Sequence, residues 1–345
     1  MHFYEVLLYY EEKRKTETIK KRRVAVIFDK VRKNRKNKHK NDQKNNNKRK
    51  TIPIKMNKKK GKNRLSTEKL TVSGVEIASP GLPESFRGFT IVHLSDLHGT
   101  LYGNHHRRLL HKIRQADPDV VVMTGDMTDH QADGMLQFID LCRRLCRHWP
   151  VYYIWGNHEQ CMDKKRRLWL LQKLKTAGVV ILENGNCSIV RGDASIKIYG
   201  LVTPLIYYKD LRAGAKRRCC FTAAEAKRLL GKADISAFNL LLAHNPLYFP
   251  AYRDWGADLT LSGHIHGGII RIPGLGGLFS PEFRFFPRYD AGHFEERGKH
   301  LVVSRGLGNN FLFRVANPPE IVVIRLLPWG NSTYSIPSKS HSVST

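Results

Sequence analysis

The stretch FTIVHLSDLHG, residues 89–99, contains the fold in miniature: a short apolar run, then a polar turn carrying Asp96 and His98. An apolar run of this length, bounded by turn residues, reads as a strand buried on both faces. The arrangement recurs four times downstream. VVVMTGDMTD (120–129) ends on Asp126 and Asp129, and VYYIWGNHE (151–159) ends on Asn157 and His158. FNLLLAHNP (238–246) ends on His244, and DLTLSGHIHGG (258–268) ends on His264 and His266.

Helical spacing fills the gaps between these runs. HRRLLHKIRQA (106–116), GMLQFIDLCRRLCRHW (134–149), KKRRLWLLQKLKTAG (164–178) and TAAEAKRLLG (222–231) read as helices, the third with Gly178 as its C-terminal cap. TVSGVEI (71–77) alternates as a strand does. VVIL, CSIV and SIKIYG read as successive strands over 179–200, and LVVS (301–304) and EIVVIRL (320–326) complete the set. Strands alternate with helices first, and a strand-rich half follows. This predicts an α/β or α+β layered domain whose internal sheets are covered by helices. In such sheets the ligand crevice lies at the carboxyl ends of the strands. Asp96, His98, Asp126, Asp129, Asn157, His158, His244, His264 and His266 should therefore converge on one edge, although they span 170 residues of sequence.

Charge divides the chain. Its 345 residues carry a net charge of +29. Residues 1–70 account for +18 of this, with 25 Lys and Arg against 7 Asp and Glu. Residues 11–65 are rich in Lys, Arg and Asn, and the run from Lys30 to Lys50 has almost no apolar side chain, so they predict a disordered basic extension. Such an arm could touch nucleic acid or anionic lipid, could be an inert solvated tail, or could precede a true start at Met56. The folded domain is expected over 70–328, with a polar tail over 330–345. Six cysteines, none in a CxxC pair, read as reduced thiols of a cytoplasmic protein. No apolar run reaches the roughly 18–20 residues that span a bilayer, so any membrane contact is expected to be peripheral, at the inner face.

Each polar cluster alone could be a turn or a cap; together, at successive strand ends, they point to metal chemistry. Two divalent ions about 3.5–4 Å apart can clamp the attacking and leaving oxygens of an in-line displacement. They need a bridging carboxylate and several N or O ligands, a mix that suits Mn, Fe or Zn better than Ca.

The order D-x-H, GD-x-x-D, GNHE, H, GH-x-H resembles the calcineurin-like metallophosphoesterase superfamily, over roughly 89–267. PRYDAG (287–292), SRGLG (304–308) and NPPEI (317–321) resemble its bacterial YkuE/YaeI-like branch, close to lipid-A-type UDP-diacylglucosamine pyrophosphatases. The resemblance implies a four-layer α/β/β/α sandwich of two mixed sheets. It implies one metal site from Asp96, His98, Asp126 and His266, and a second from Asn157, His244 and His264, with Asp126 shared. It implies His158 as the general acid for the leaving oxygen, Asp129 as the carboxylate orienting it, and a metal-bound hydroxide as nucleophile. Relatives that dephosphorylate protein Ser/Thr carry an arginine after GD-x-x-D. Here His130 stands there, and GHIH also resembles phosphodiesterases more, so a protein phosphatase role is disfavoured.

The expected activity is thus hydrolysis of a phosphodiester or pyrophosphate on a lipid- or nucleotide-linked substrate. The alternatives are a non-catalytic scaffold on the same fold, or nucleic-acid binding by the basic arm, which no motif of the folded part supports. Residues 269–289, rich in Gly, Pro and Phe, read either as an apolar loop meeting lipid through Phe279, Phe283, Phe285 and Phe286 or as a packed loop. His93 reads as a core residue, and His105, His106 and His111 as residues of a helix surface.

Overall fold

The computed structural model describes residues 66, 68–128, 132–209, 220–268, 270–272, 275–278, 285–308 and 314–328. The basic extension, the polar tail, Asp129, His130, Phe279 and Phe283 lie outside the described residues.

The chain opens with β1 (Thr71–Ser79) and β2 (Thr90–Leu94), then α1 (Arg107–Ala116), β3 (Val120–Met123), α2 (Ala132–Leu145) and β4 (Val151–Tyr153). The short α3 (Asn157–Gln160), α4 (Lys164–Thr176) and β5 (Val180–Ile181) complete the first half. There follow β6 (Gly185–Arg191), β7 (Ala194–Leu201), α5 (Ile206–Lys209), α6 (Ala223–Leu230), β8 (Asn239–Ala243), α7 (Phe249–Trp255) and β9 (Leu259–Ser262). A two-stranded ribbon, β10 (Arg271–Ile272) and β11 (Gly276–Gly277), precedes β12 (Gly292–Glu296), β13 (Lys299–Val303) and β14 (Glu320–Pro328).

Two mixed six-stranded sheets result, ordered β1-β14-β2-β3-β4-β5 and β12-β13-β9-β8-β7-β6. β2 through β5 run parallel, as do β7, β8, β9 and β13. Every residue of β2, β3, β4, β8 and β9 is buried, which is why these strands read as unbroken apolar runs. Period-two alternation then sorts their side chains. Ile91, Val122 and Ile154 point inward to meet Ile198, Leu242 and Leu261 of the second sheet. Val92, Val121 and Tyr153 point outward onto Leu109 and Ile113 of α1, Phe138 of α2, and Leu170 and Leu174 of α4. On the far face of the second sheet, Leu241 and Ala243 pack on Ala226 and Leu230 of α6 and Tyr252 and Trp255 of α7. The layers are helix, sheet, sheet, helix, as expected.

Some details differ from the sequence reading. α7 and the β10–β11 ribbon were not expected. His106 is not on a helix surface but fully buried, because Asn104–His106 form a 3-10 turn in which His105 (φ 51°) and His106 (φ 58°) are left-handed. His93 is a core residue, its Nε2 2.8 Å from Thr124 Oγ1. Phe285 and Phe286 are about half exposed. Cys142, Cys146, Cys161, Cys187 and Cys220 form no disulfide. No helix among the described residues is long and apolar enough to cross a membrane.

Candidate metal centre

The carboxyl ends of β2, β3, β4, β8 and β9 meet at one edge, and the strand-end residues there form overlapping trios. Asp96, His98 and His266 present ligand atoms within 4.8 Å of one another; so do His98, Asp126 and His158, and Asp126, His244 and His264. Asp126 belongs to two of the three. His98 Nε2 lies 3.2 Å from His266 Nε2, the rings stacked at 5.1 Å. His266 Nε2 is 3.4 Å from Asp96 Oδ1, and His244 Nε2 is 3.2 Å from Asp126 Oδ2. Asp96, His98, Asp126, His244, His264 and His266 are all buried, whereas His158 is 29% exposed, its Nε2 3.8 Å from Asp126 Oδ2.

The backbone is bent to make this possible. Asp96, His98, Asp126, His264 and His266 all have positive φ, between 47° and 71°. Asp and His tolerate that region better than most residues, yet each such residue costs about 1–3 kcal/mol unless the surroundings hold it. They do hold it. His98 N donates to Asp126 O, Asp96 N to Gly125 O, and His264 N to Asp96 Oδ2 at 3.0 Å. Gly125 (φ 98°) closes the packing: a Cβ there would overlap the backbone of Gly156.

Glu159 anchors the turn after β3. Its Oε2 accepts from Asp126 N and Gly156 N, and its Oε1 from Met127 N and Thr128 N, at 2.7–3.2 Å. Burial, reinforced by the charge of Asp126, raises its pKa. Still, four N–H donors occupy both lone pairs of both oxygens and leave no place for a proton. Sequence reading missed this role, although the last letter of GNHE was its signal.

Charge in the site favours a cation. Burial opposes ionisation of Asp126, but His244, His158 and His98 outweigh it and hold that carboxyl well below its usual range. Burial would lower the His244 pKa too; Asp126, Asp96 and Glu159 push it up to about 9. His98, where burial dominates, falls to about 3. A site that raises a buried histidine favours positive charge, which a proton or a divalent ion can supply.

The donors fit a metal. His244 Nδ1 donates to Thr124 O at 2.7 Å, which turns Nε2 toward the carboxylates in the manner of metal-bound histidines. Asn157 Oδ1 is buried with no hydrogen-bond partner among the described residues, an acceptor without a donor. Tyr208 was also missed, because no motif marks it. Its ring stands edge-on to His264 at 5.1 Å, and its buried hydroxyl has no well-formed hydrogen bond among the described residues. The expected ligands Asp96, His98, Asp126, Asn157, His244, His264 and His266 thus lie at one edge with His158 beside them; Asp129 lies outside the described residues.

The chain is similar to several known proteins. The calcineurin-like phosphoesterase family model matches residues 89–268. The uncharacterised metallophosphoesterase YkuE of Bacillus subtilis (strain 168) is 30% identical over 262 residues, 72% of this chain and 83% of that protein. Phosphodiesterase YaeI of Escherichia coli (strain K12) is 28% identical over 211 residues, 61% of this chain and 71% of that protein. Among solved structures, the phosphopantetheinyl hydrolase of Mycobacterium tuberculosis aligns with 66% of this chain and 91% of its own at 14% identity, with a TM-score of 0.40. The match across five strand ends and the likeness to YkuE together identify the chain as a member of the calcineurin-like phosphoesterase family, in the YkuE/YaeI-like branch.

Proposed function

We propose that this metallophosphoesterase hydrolyses a phosphodiester or pyrophosphate bond, on a lipid- or nucleotide-linked substrate, at a dinuclear centre. The observation that carries the reading is Asp126: one carboxylate that groups with His244 and His264 and, through His98, is linked to the trio of Asp96, His98 and His266. Asp96, His98, Asp126 and His266 would hold one ion, and Asn157, His244 and His264 the other, with Asp126 between. Mn, Fe or Zn suits this N and O donor set. Bound there, the ions would polarise the phosphoryl oxygens and lower the pKa of an attacking water.

The remaining groups handle the substrate. His158 is the most solvent-accessible histidine of the cluster, on the side a substrate can reach, and it would donate a proton from its ring to the leaving oxygen. Asp129 would orient that ring. The Tyr208 hydroxyl would donate to a phosphoryl oxygen. Glu159, through the turn it holds, would fix Asp126 and keep water from competing for its backbone.

Chelation tests the reading. Purified protein assayed on phosphomonoesters, phosphodiesters and UDP-linked lipids should lose activity on metal stripping and regain it with Mn or a similar ion. Full turnover in a rigorously stripped sample would sink it.

A further inference from the structure

The helices on the outer face of the first sheet carry charge unevenly. α1, α2 and α4 together hold twelve Lys and Arg against Asp133 and Asp140. α6 and α7, on the opposite layer, hold Lys227, Arg228 and Arg253 against Glu225 and Asp254. Among these described helices the excess belongs to one face. Arg108, Arg144 and Arg167 are engaged by neighbouring carbonyls or carboxylates. Arg107, Arg143, Lys164, Lys165 and Lys175 are exposed, and no carboxylate among the described residues pairs with them. A cleft of about 590 Å³ where α1 meets Arg144 of α2, lined also by Arg107, His111 and Arg114, gathers the same charge.

Folding alone does not explain this placement. Lys164 to Arg167 form the first turn of α4, and Arg107 and Arg108 begin α1, where the helix dipole disfavours cations. α2 and α6 follow the usual preference, with Asp133 and Glu225 in their first turns.

The apolar residues of α4 supply the second, independent observation. Leu170 and Leu174 satisfy the core, yet Leu168 is 53% and Trp169 38% exposed. Leu168 lies one turn from Lys164 and Lys165 and two turns from Lys175, so it stands among cations on the outward face. Leu136 of α2, the helix packed against α4, is 55% exposed. A solvated helix face has no need of these side chains. A nucleic-acid backbone attracts the cations but gains little from the leucines. A lipid surface uses both, cations at the head groups and Trp and Leu at the acyl boundary.

We infer that the α1–α2–α4 face docks peripherally on an anionic lipid bilayer. α1 and α4 follow β2 and β4 from the edge that carries the metal-competent cluster, so docking brings that edge close to the lipid. No ligand residue takes part, and the docking stands whether or not the cluster hydrolyses phosphoesters.

Flotation of the full chain with phosphatidylcholine vesicles, with and without phosphatidylglycerol, reads the binding. Residues 1–65 would bind the anionic vesicles by charge alone, so a local signal is needed. Trp169, one of five tryptophans, provides it through quenching by lipids with brominated acyl chains. The parent should be quenched on anionic vesicles, and Trp169→Phe should lose most of that quenching while melting as the parent does. Lys164→Ser with Lys165→Ser should raise the lipid concentration that half-quenches Trp169 roughly 25-fold, about fivefold per cation, and leave turnover on a soluble diester unchanged. Quenching that persists in Trp169→Phe overturns the inference. If it then disappears in Phe285→Ser with Phe286→Ser, the loop is the docking element. Duplex DNA binding that falls with the lysine change while the quenching of Trp169 by anionic vesicles holds overturns it as well, in favour of nucleic acid.

Discussion

His158 and Asn157 are adjacent in sequence and answer to opposite tests. Asn157 offers a buried acceptor with no donor among the described residues, as a ligand would; His158 stands partly in solvent, as a proton donor would. His158→Ala should therefore lower kcat by about 10²–10⁴-fold while metal content stays at about two ions per chain. A substrate with a nitrophenolate leaving group should be affected less. Loss of metal from this variant would make His158 a ligand, a reading its place in a trio with His98 and Asp126 keeps open. Tyr208→Phe separates another pair of readings. Removing a buried hydroxyl that lacks a well-formed hydrogen bond should leave the melting temperature equal or higher. If that hydroxyl meets a phosphoryl oxygen, kcat/KM should fall about 10- to 100-fold, the worth of a hydrogen bond to a charged group. Unchanged kcat/KM would remove Tyr208 from the site. His158 was legible in the sequence because it sits in GNHE; Tyr208 was not, because a tyrosine on a four-residue helix carries no local mark.

The turn after β3 is the element on which the centre depends. Glu159 ties it to α3 through four N–H bonds, and Asp126 keeps a positive φ inside it. Glu159→Gln would point an amide NH2 at two of those donors. The cost should be on the order of 2–4 kcal/mol, seen as a lower melting temperature, with metal affinity and turnover falling together. A variant that melts normally yet binds metal poorly would show that Glu159 acts on the site and not on the turn. At this scale the strands were the most legible elements, since parallel strands buried on both faces leave unbroken apolar runs. α7 escaped notice: FPAYRDW is seven residues, too short for helical periodicity to emerge, and it opens with a proline two places in. His106 was misplaced for a related reason. Helical spacing assigned it to the surface of α1, but two left-handed residues in the preceding turn swing its ring inward.

Both sheets, the apolar layer between them and the two layers under the helices are built from residues 70–328. We propose that this span is the catalytic domain and that the basic extension serves another end. Deleting residues 1–55 should leave turnover on a small diester nearly unchanged; a truncated protein that folds but has lost turnover would show that the extension takes part. What the sequence determined by itself was the family and the place of each candidate ligand at the end of its own strand. Apolar runs, turn residues and the Asp, Asn and His types at strand ends are local, and a strand end shows wherever the run stops. The tertiary structure decided which atoms meet. His264 N reaches Asp96 across 168 residues, and His244 joins Asp126 only because β8 and β3 lie in facing sheets whose carboxyl ends share one edge. It also decided that the cations of α1 and α4 gather on one outward face. Both depend on sheet order and layer packing, which are set by the burial of the whole core at once, and no stretch of sequence records them.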